Sequence, residues 1–452
     1  MGTYDAVVIG GGPAGSVAAT VLARGGARVA LVDKATFPRD KACGDVVGPR
    51  GVATLSRLGL VPPGLLELGD IVVVGPTGDR AVLPALPGVD FPARGWALPR
   101  RLLDQWLWEA AVAAGAEPVT ARVAGVTTEP SGEVGVTLDG APRFVARAVI
   151  GADGATSGVA AALGMVDPAR VLWGFAVRVY LRQAVELPVI ALWDPEPGRG
   201  FPGYGWLFPG PGGEANAGLG LGVGADRKAG SRAVRQLQDF LAHLGKLGLL
   251  DGERGGDGRR SGGRRDEGEA TSTGRGGSTG RGGSTRTGGG GAAPLGGWLK
   301  MGMVGTVPAR GRVLLVGDAA GLVNPLQGEG IGPAVASAEA AALAVLAGDE
   351  GAAGRYLAYL RLQHQEFMGS VAALHAALIP RPRAISATGR LLTRAPLARA
   401  VGPAWSLYWN GLAEGARPGP GRRLARVADV AARAVTARTT TRRWLEDALD
   451  GA

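Results

Sequence analysis

Three glycines and an acid are the first residues in this chain whose types and spacing suggest chemistry: Gly10, Gly12 and Gly15, then Asp33. In the run Gly10-Gly11-Gly12-Pro13-Ala14-Gly15, the first glycine permits a tight turn and the second lets the backbone approach a pyrophosphate. The third lets a helix pack closely on a strand, and the phosphates then face the positive end of that helix. Asp33, with Lys34 beside it, lies where an acid takes the hydroxyls of a ribose. A second glycine-rich segment, residues 311–332 (GRVLLVGDAAGLVNPLQGEGIG), has no GxGxxG but carries Asp318 after Gly317 and Ile331 after Gly328 and Gly330. An aspartate at a strand end suits a ribityl hydroxyl. A helix opening at those glycines turns N–H groups toward the N1/O2 edge of a flavin ring. The plainer reading is a strand-turn-helix with a capping aspartate. Taken together, the two segments point to FAD.

These residues need strands and helices to hold them. The apolar run 6–9 feeds the first turn, residues 27–32 form a second strand ending at Asp33, and residues 313–316 form the strand before Gly317. A helix over 101–114, strands over 119–126 and 146–150, and the Gly151-Ala152-Asp153-Gly154 turn belong to the same unit. Residues 174–181 and 215–223 alternate apolar positions like an antiparallel sheet. The expected fold is therefore α/β: a Rossmann-like FAD-binding domain with an inserted antiparallel-sheet substrate domain and a C-terminal helical region. The FAD domain takes 1–70, 96–165 and 295–346, the substrate domain 71–95 and 166–294, and the basic helical region 347–452. Within the substrate domain, residues 252–293 turn to Gly, Arg, Ser and Thr and read as a disordered insertion between a helix at 232–244 and a strand near 298–304. Its RGG-like character also suits RNA, though a surface insertion fits better.

Composition sets the bounds. The chain has 452 residues and 46% hydrophobic content, enough for a substantial core. Cys43 is the single cysteine, so no intramolecular disulfide forms and a cell interior is the expected compartment. The N-terminus starts on a strand without a signal-peptide pattern. No uncharged apolar run reaches the roughly 18 residues of a spanning helix. The net charge of +10 is concentrated late: residues 380–452 hold 13 arginines against five acids. No recognised nucleic-acid motif accompanies them, so no nucleic-acid partner is expected. A basic surface against anionic lipid head groups and a solvated helical face are the two readings left.

Further motifs carry a family likeness. Lys41-Ala42-Cys43-Gly44-Asp45, the strand-like Pro202-Gly203-Tyr204-Gly205-Trp206-Leu207-Phe208-Pro209, the GADG turn at 151–154 and the segment from Gly317 stand beside the N-terminal glycines. With these the chain resembles the para-hydroxybenzoate hydroxylase-like flavoproteins and, within them, the geranylgeranyl reductase family, across most of residues 4–346. The YxWxFP element is the most specific part. The resemblance implies FAD as cofactor and reduction of carbon–carbon double bonds in a prenyl chain. Arg100, four residues before Asp104 and with Arg101 beside it, falls where the family has an FAD-contacting arginine, and Asp153 and Gly44 fall in flavin-contacting motifs. Cys43 lies in the loop the family places near the isoalloxazine. Ala160 departs from the pattern, because an arginine often follows GADGxxS, and this implies looser flavin retention.

The residues support that reading independently. Trp193, Tyr204, Trp206 and Phe208 gather bulky apolar surface where no charge occurs between Arg199 and Glu214. An isoprenoid has no polar handles and needs an apolar site; the same rings could instead fill the sheet core. On a strand, Tyr204 and Trp206 share one face. Reduction needs a hydride from flavin N5 and a proton for the other alkene carbon, and aromatic faces stabilise positive charge on the way. Cys43 is a candidate proton donor or positioning residue, or a small buried residue. Tyr204 and Trp206 complete the candidate catalytic set, and no metal site is expected. His243, His364 and His375 lie outside every motif and read as structural. A flavin monooxygenase is the main alternative. A halogenase is disfavoured because no lysine occurs between Lys41 and Lys228, and nothing positive argues for a non-enzymatic scaffold. The chain has no second GxGxxG, so the electron donor is NAD(P)H bound transiently or a ferredoxin-like protein. The expected partners are a prenyl lipid or quinone and, through the basic C-terminal region, the inner face of the cell membrane.

Overall fold

Residue chemistry explains the central sheet directly. Gly2–Ile9 is flanked on both sides by parallel neighbours, Val29–Asp33 and Ala141–Gly151, and Ala6, Val7, Val8 and Ile9 are all buried. A parallel strand covered on both faces reads as a continuous apolar run. The computed structural model describes residues 2–193, 203–224, 230–250, 293–348 and 350–450; the glycine-rich insertion lies outside these apart from its last position. The sheet order is Ala309–Arg310, Val313–Leu315, Ala141–Gly151, Gly2–Ile9, Val29–Asp33, Glu117–Thr120. Both ends of the cofactor segments thus meet: Ile9 pairs with Gly151, and Gly151 with Leu315.

The Pro13–Arg24 helix packs against the Ile331–Leu346 and Arg100–Ala113 helices. Small residues on its inner face, Ala14, Ala18 and Ala19, permit close approach. Residues 119–126, read above as one strand, form the ends of two. Glu117–Thr120 lies parallel to Val29–Asp33, whereas Val123–Thr128 runs antiparallel to Val134–Leu138. The amide of Ala121 donates to the Asp33 carbonyl at 2.9 Å, which ends the first pairing.

A second, seven-stranded sheet is almost wholly antiparallel. Its order is Leu295–Met301, Leu172–Leu181, Ala215–Gly224, Gly203–Pro209, Val189–Ala191, Ile71–Val74, Arg80–Leu83, so residues 295–301, expected above in the FAD domain, belong to this sheet because they pair with Leu172–Leu181. The Gly230–Lys246 helix covers one face, where Phe240 fills the space left by Gly205. The fold is the Rossmann-like α/β arrangement with an inserted antiparallel sheet and C-terminal helices that the sequence implies. The Pro382–Thr393 and Ala395–Trp409 helices pack on the Arg80–Leu83 edge strand, and Pro420–Thr436 packs behind the second of them and against Glu366–Leu378. Among the described residues no helix is long and apolar enough to cross a membrane.

Candidate active site

One cavity of about 890 Å³ runs between the two sheets and under the C-terminal helices. Its first part is the glycine cradle. Gly10 holds φ +107°, and a Cβ there would lie 2.3 Å from the Ala152 carbonyl oxygen; at Gly15 it would lie 1.7 Å from that of Gly10. Gly15 is thus a packing glycine set back from the cavity. At Gly12 a Cβ would meet only the guanidinium nitrogens of Arg39 and Arg100, at 3.5 and 3.9 Å. The open space beside Gly12, Pro13 and Ala14 is lined by two arginines and by the uncapped start of a helix. Such a setting fits the pyrophosphate of FAD.

Asp33 and Lys34 line the same space. The Asp33 carboxylate accepts the Gly11 and Ala35 amides at 2.7 and 2.9 Å, leaving acceptor capacity for a ribose. Arg100 forms a fork with Asp104, two bonds of 2.7 Å, and Arg39 reaches the same carboxylate at 3.1 Å. Asp153 caps the short helix after GADG, accepting from Gly158 and Val159. Asp318 accepts from Lys41 Nζ at 3.1 Å, which ties the Lys41–Asp45 loop to the second glycine segment. Gly317 packs against Ala14 and Ala334 behind the cavity wall, whereas Gly328, Gly330 and Ile331 form part of it.

The Cys43-Gly44-Asp45 loop meets the aromatic strand. A Cβ on Gly44 would lie 3.0 Å from the Phe208 ring and 3.5 Å from Trp206 Nε1. Asp45, at φ +63°, is the anchor: its carboxylate accepts from Tyr180 Oη at 2.6 Å, Asn216 Nδ2 at 2.8 Å and the Arg100 amide at 3.1 Å. Asn216 also donates to the Cys43 carbonyl at 2.8 Å and accepts from Trp206 Nε1 at 2.9 Å. Sequence reasoning missed Asn216 and Tyr180, because no local pattern pairs residue 45 with residues 180 and 216.

Tyr204, Trp206 and Phe208 share the cavity face of their strand, and their rings follow one another at 6.2 and 6.3 Å. Trp409 continues the row 6.4 Å from Tyr204, and Trp405 stands 6.1 Å beyond it. The last two come from the C-terminal region; their i, i+4 spacing in Trp405-Ser406-Leu407-Tyr408-Trp409 was the available signal. Trp193 does not join the row. Leu192 faces the cavity, and Trp193 packs on the far side of the sheet against Phe240 at 5.6 Å, since a charge-free stretch does not reveal which face a residue takes. His375 also differs from its structural reading, for it lines the cavity; burial lowers its pKa to about 4, so the imidazole is neutral.

Burial pushes the Cys43 thiol up, with the Arg100 guanidinium opposing, and likewise raises Tyr204. Both hold their protons at neutral pH, and the Tyr204 hydroxyl donates to the Gln327 carbonyl. Glu329, unremarked in the sequence, is raised to about 7 by burial, against bonds from the Gly332 and Gly48 amides. An acid whose pKa rises on folding adds stability below its unfolded value of 4.5 and loses it as pH climbs through about 7. Between about pH 5 and pH 8 this contributes on the order of 2–3 kcal/mol. Thermal melts of Glu329→Gln are therefore expected to vary less with pH than those of the parent over that interval. Parallel pH profiles would assign Glu329 no such role.

A family model described as an FAD binding domain matches residues 3–177. The menaquinone reductase of Mycolicibacterium smegmatis is 34% identical over 407 residues, covering 86% of this chain and 88% of that protein. The geranylgeranyl diphosphate reductase of Rhodobacter capsulatus is 34% identical over 220 residues, 46% of this chain and 52% of its own length. Among solved structures, a geranylgeranyl bacteriochlorophyll reductase-like protein from Thermoplasma acidophilum has the same fold, with TM-score 0.62 at 20% identity, covering 88% of this chain and 98% of that one. With the glycine cradle and the long match to menaquinone reductase, this chain belongs to the geranylgeranyl reductase family of FAD-dependent oxidoreductases.

Proposed function

We propose that this enzyme saturates carbon–carbon double bonds in the prenyl chain of a membrane lipid, with the side chain of a quinone such as menaquinone as the leading substrate. The observation that carries this reading is the row of five rings, Phe208, Trp206, Tyr204, Trp409 and Trp405. It runs on into lining residues between 378 and 412 that are all uncharged. A long apolar chain has no polar group to bind and gains its affinity from such a surface.

FAD in its reduced form supplies the hydride. Gly12 and the first turn of the following helix would hold its pyrophosphate, Asp33 its ribose, Asp318 its ribityl chain, and the loop from Gly328 to Ile331 its ring. The rings of Trp206 and Tyr204 orient the alkene and favour positive charge on it. Cys43 and Tyr204 hold protons on the cavity wall and are the candidate donors to the second alkene carbon. NAD(P)H or a ferredoxin-like protein would supply the electrons, with the enzyme at the cytoplasmic face of the membrane.

The test is anaerobic. Reduced holoenzyme is mixed with menaquinone or geranylgeranyl diphosphate, and products are weighed by mass spectrometry. The expected result is a gain of one hydrogen pair per bond reduced. Absence of any gain, together with substrate-stimulated oxygen uptake, would replace this reading with a monooxygenase.

A further inference from the structure

We infer that the outward face of the Pro420–Thr436 helix is a docking surface for an anionic lipid bilayer. The inference builds on the lipid-substrate reading for its purpose but is carried by separate observations. This helix packs on the Ala395–Trp409 and Glu366–Leu378 helices through Ala425, Asp429, Ala432 and Thr436. Its large aliphatic residues point the other way: Leu424, Val427, Val430 and Val435 are 43%, 63%, 65% and 72% exposed. Ala428, Ala431 and Ala434 lie between them, also exposed. A helix that faces water ordinarily buries its large apolar residues and exposes polar ones. Here the order is reversed over about 17 Å of helix, from Leu424 to Val435, and among the described residues nothing covers the face.

Charge selects the occupant. Arg423 and Arg438 are exposed around the aliphatic stripe; Arg426, also exposed, pairs with Glu414 at 3.6 Å, and the helix's single acid, Asp429, is buried and paired with Arg433 at 2.5 Å. A second copy of this chain would set arginine against arginine, whereas phosphate head groups neutralise them while the acyl region takes the valines. The two helices behind it carry His375, Leu378, Trp405, Leu407 and Trp409 into the cavity. A bilayer on this face therefore lies one helix layer from the proposed prenyl site.

The experiment is co-sedimentation of FAD-loaded full-length enzyme with phosphatidylcholine vesicles, with and without an equal share of phosphatidylglycerol. Binding to the mixed vesicles is expected to exceed that to the neutral ones by about tenfold or more and to fall at high salt. Val427→Asp with Val430→Asp is expected to weaken it by at least about tenfold with flavin content and thermal midpoint retained, since both side chains are solvent-facing. Arg423→Glu with Arg438→Glu is expected to abolish the preference for anionic lipid. Unchanged binding of the double aspartate variant overturns the proposal, as does a wild-type dimer that this variant dissolves without any vesicle binding. Turnover of detergent-dispersed substrate by the same variant is expected to match the parent. An enzyme that binds vesicles but reduces no prenyl substrate would sink the substrate reading and leave this surface standing.

Discussion

A Gly12→Ala variant is expected to fold with near-native thermal stability yet purify without flavin, whereas Gly15→Ala is expected to fail at folding. The two glycines lie in one motif and differ in what a methyl group would strike. At Gly15 the obstacle is backbone, the Gly10 carbonyl oxygen at 1.7 Å and its carbon at 2.9 Å, which no rotamer change can relieve. Displacing the turn from the strand that carries it costs more than about 3 kcal/mol, a large part of a domain's net stability. At Gly12 the new methyl would meet only two arginine tips at 3.5 and 3.9 Å. The fold accommodates it, but the methyl stands in the space proposed above for the pyrophosphate at the helix start. Loss of one or two charge-assisted hydrogen bonds there, about 2–3 kcal/mol, weakens FAD by about a hundredfold. Flavin-to-protein ratio and melting temperature measured on both variants separate the two effects. A Gly12→Ala protein with full flavin content would remove the pyrophosphate from this position.

How much of this was readable beforehand depended on the range of the contact. The cradle was legible because its residues are local: a strand, a turn needing positive φ, a small-residue helix and an acid at the next strand end. The aromatic strand was legible as a face, because alternation alone puts Tyr204, Trp206 and Phe208 together. Trp193 was misplaced because it lies just beyond a short strand, where nothing nearby in sequence states which side the Gly230–Lys246 helix occupies. The C-terminal region was read by its charge, which hid two facts. Trp405 and Trp409 complete the cavity wall just over two hundred residues after Tyr204, and the Pro420–Thr436 helix buries alanines while exposing valines. Charge counting does not distinguish inward from outward, but the i, i+3, i+4 spacing of Ala425, Asp429, Ala432 and Thr436 does once a packing partner is known.

Asp45→Ala is expected to lower turnover by about a hundredfold while the protein retains FAD, with a smaller change in KM. The size follows from geometry, since a displacement of about 1 Å at a reacting group costs about that factor. Asp45 is 4% exposed and gathers donors from three separate elements: Tyr180 and Asn216 on two strands of the second sheet, and the Arg100 amide at the start of a helix on the first. Removing the carboxylate leaves these donors buried without their acceptor, on the order of 3 kcal/mol in stability. It also frees the loop that sets Gly44 against Trp206 and Phe208 and in which Cys43 Sγ accepts the Asp45 amide at 3.3 Å. Asn at this position tolerates the positive φ and keeps one acceptor oxygen, so Asp45→Asn is expected to recover most of the stability and part of the turnover. A purely structural role would make turnover follow the fraction folded, so that both variants reach the parent rate when assayed well below their melting temperatures. Persistence of the loss in fully folded, flavin-loaded Asp45→Ala is what separates a residue that positions the reacting loop from one that merely holds two sheets together.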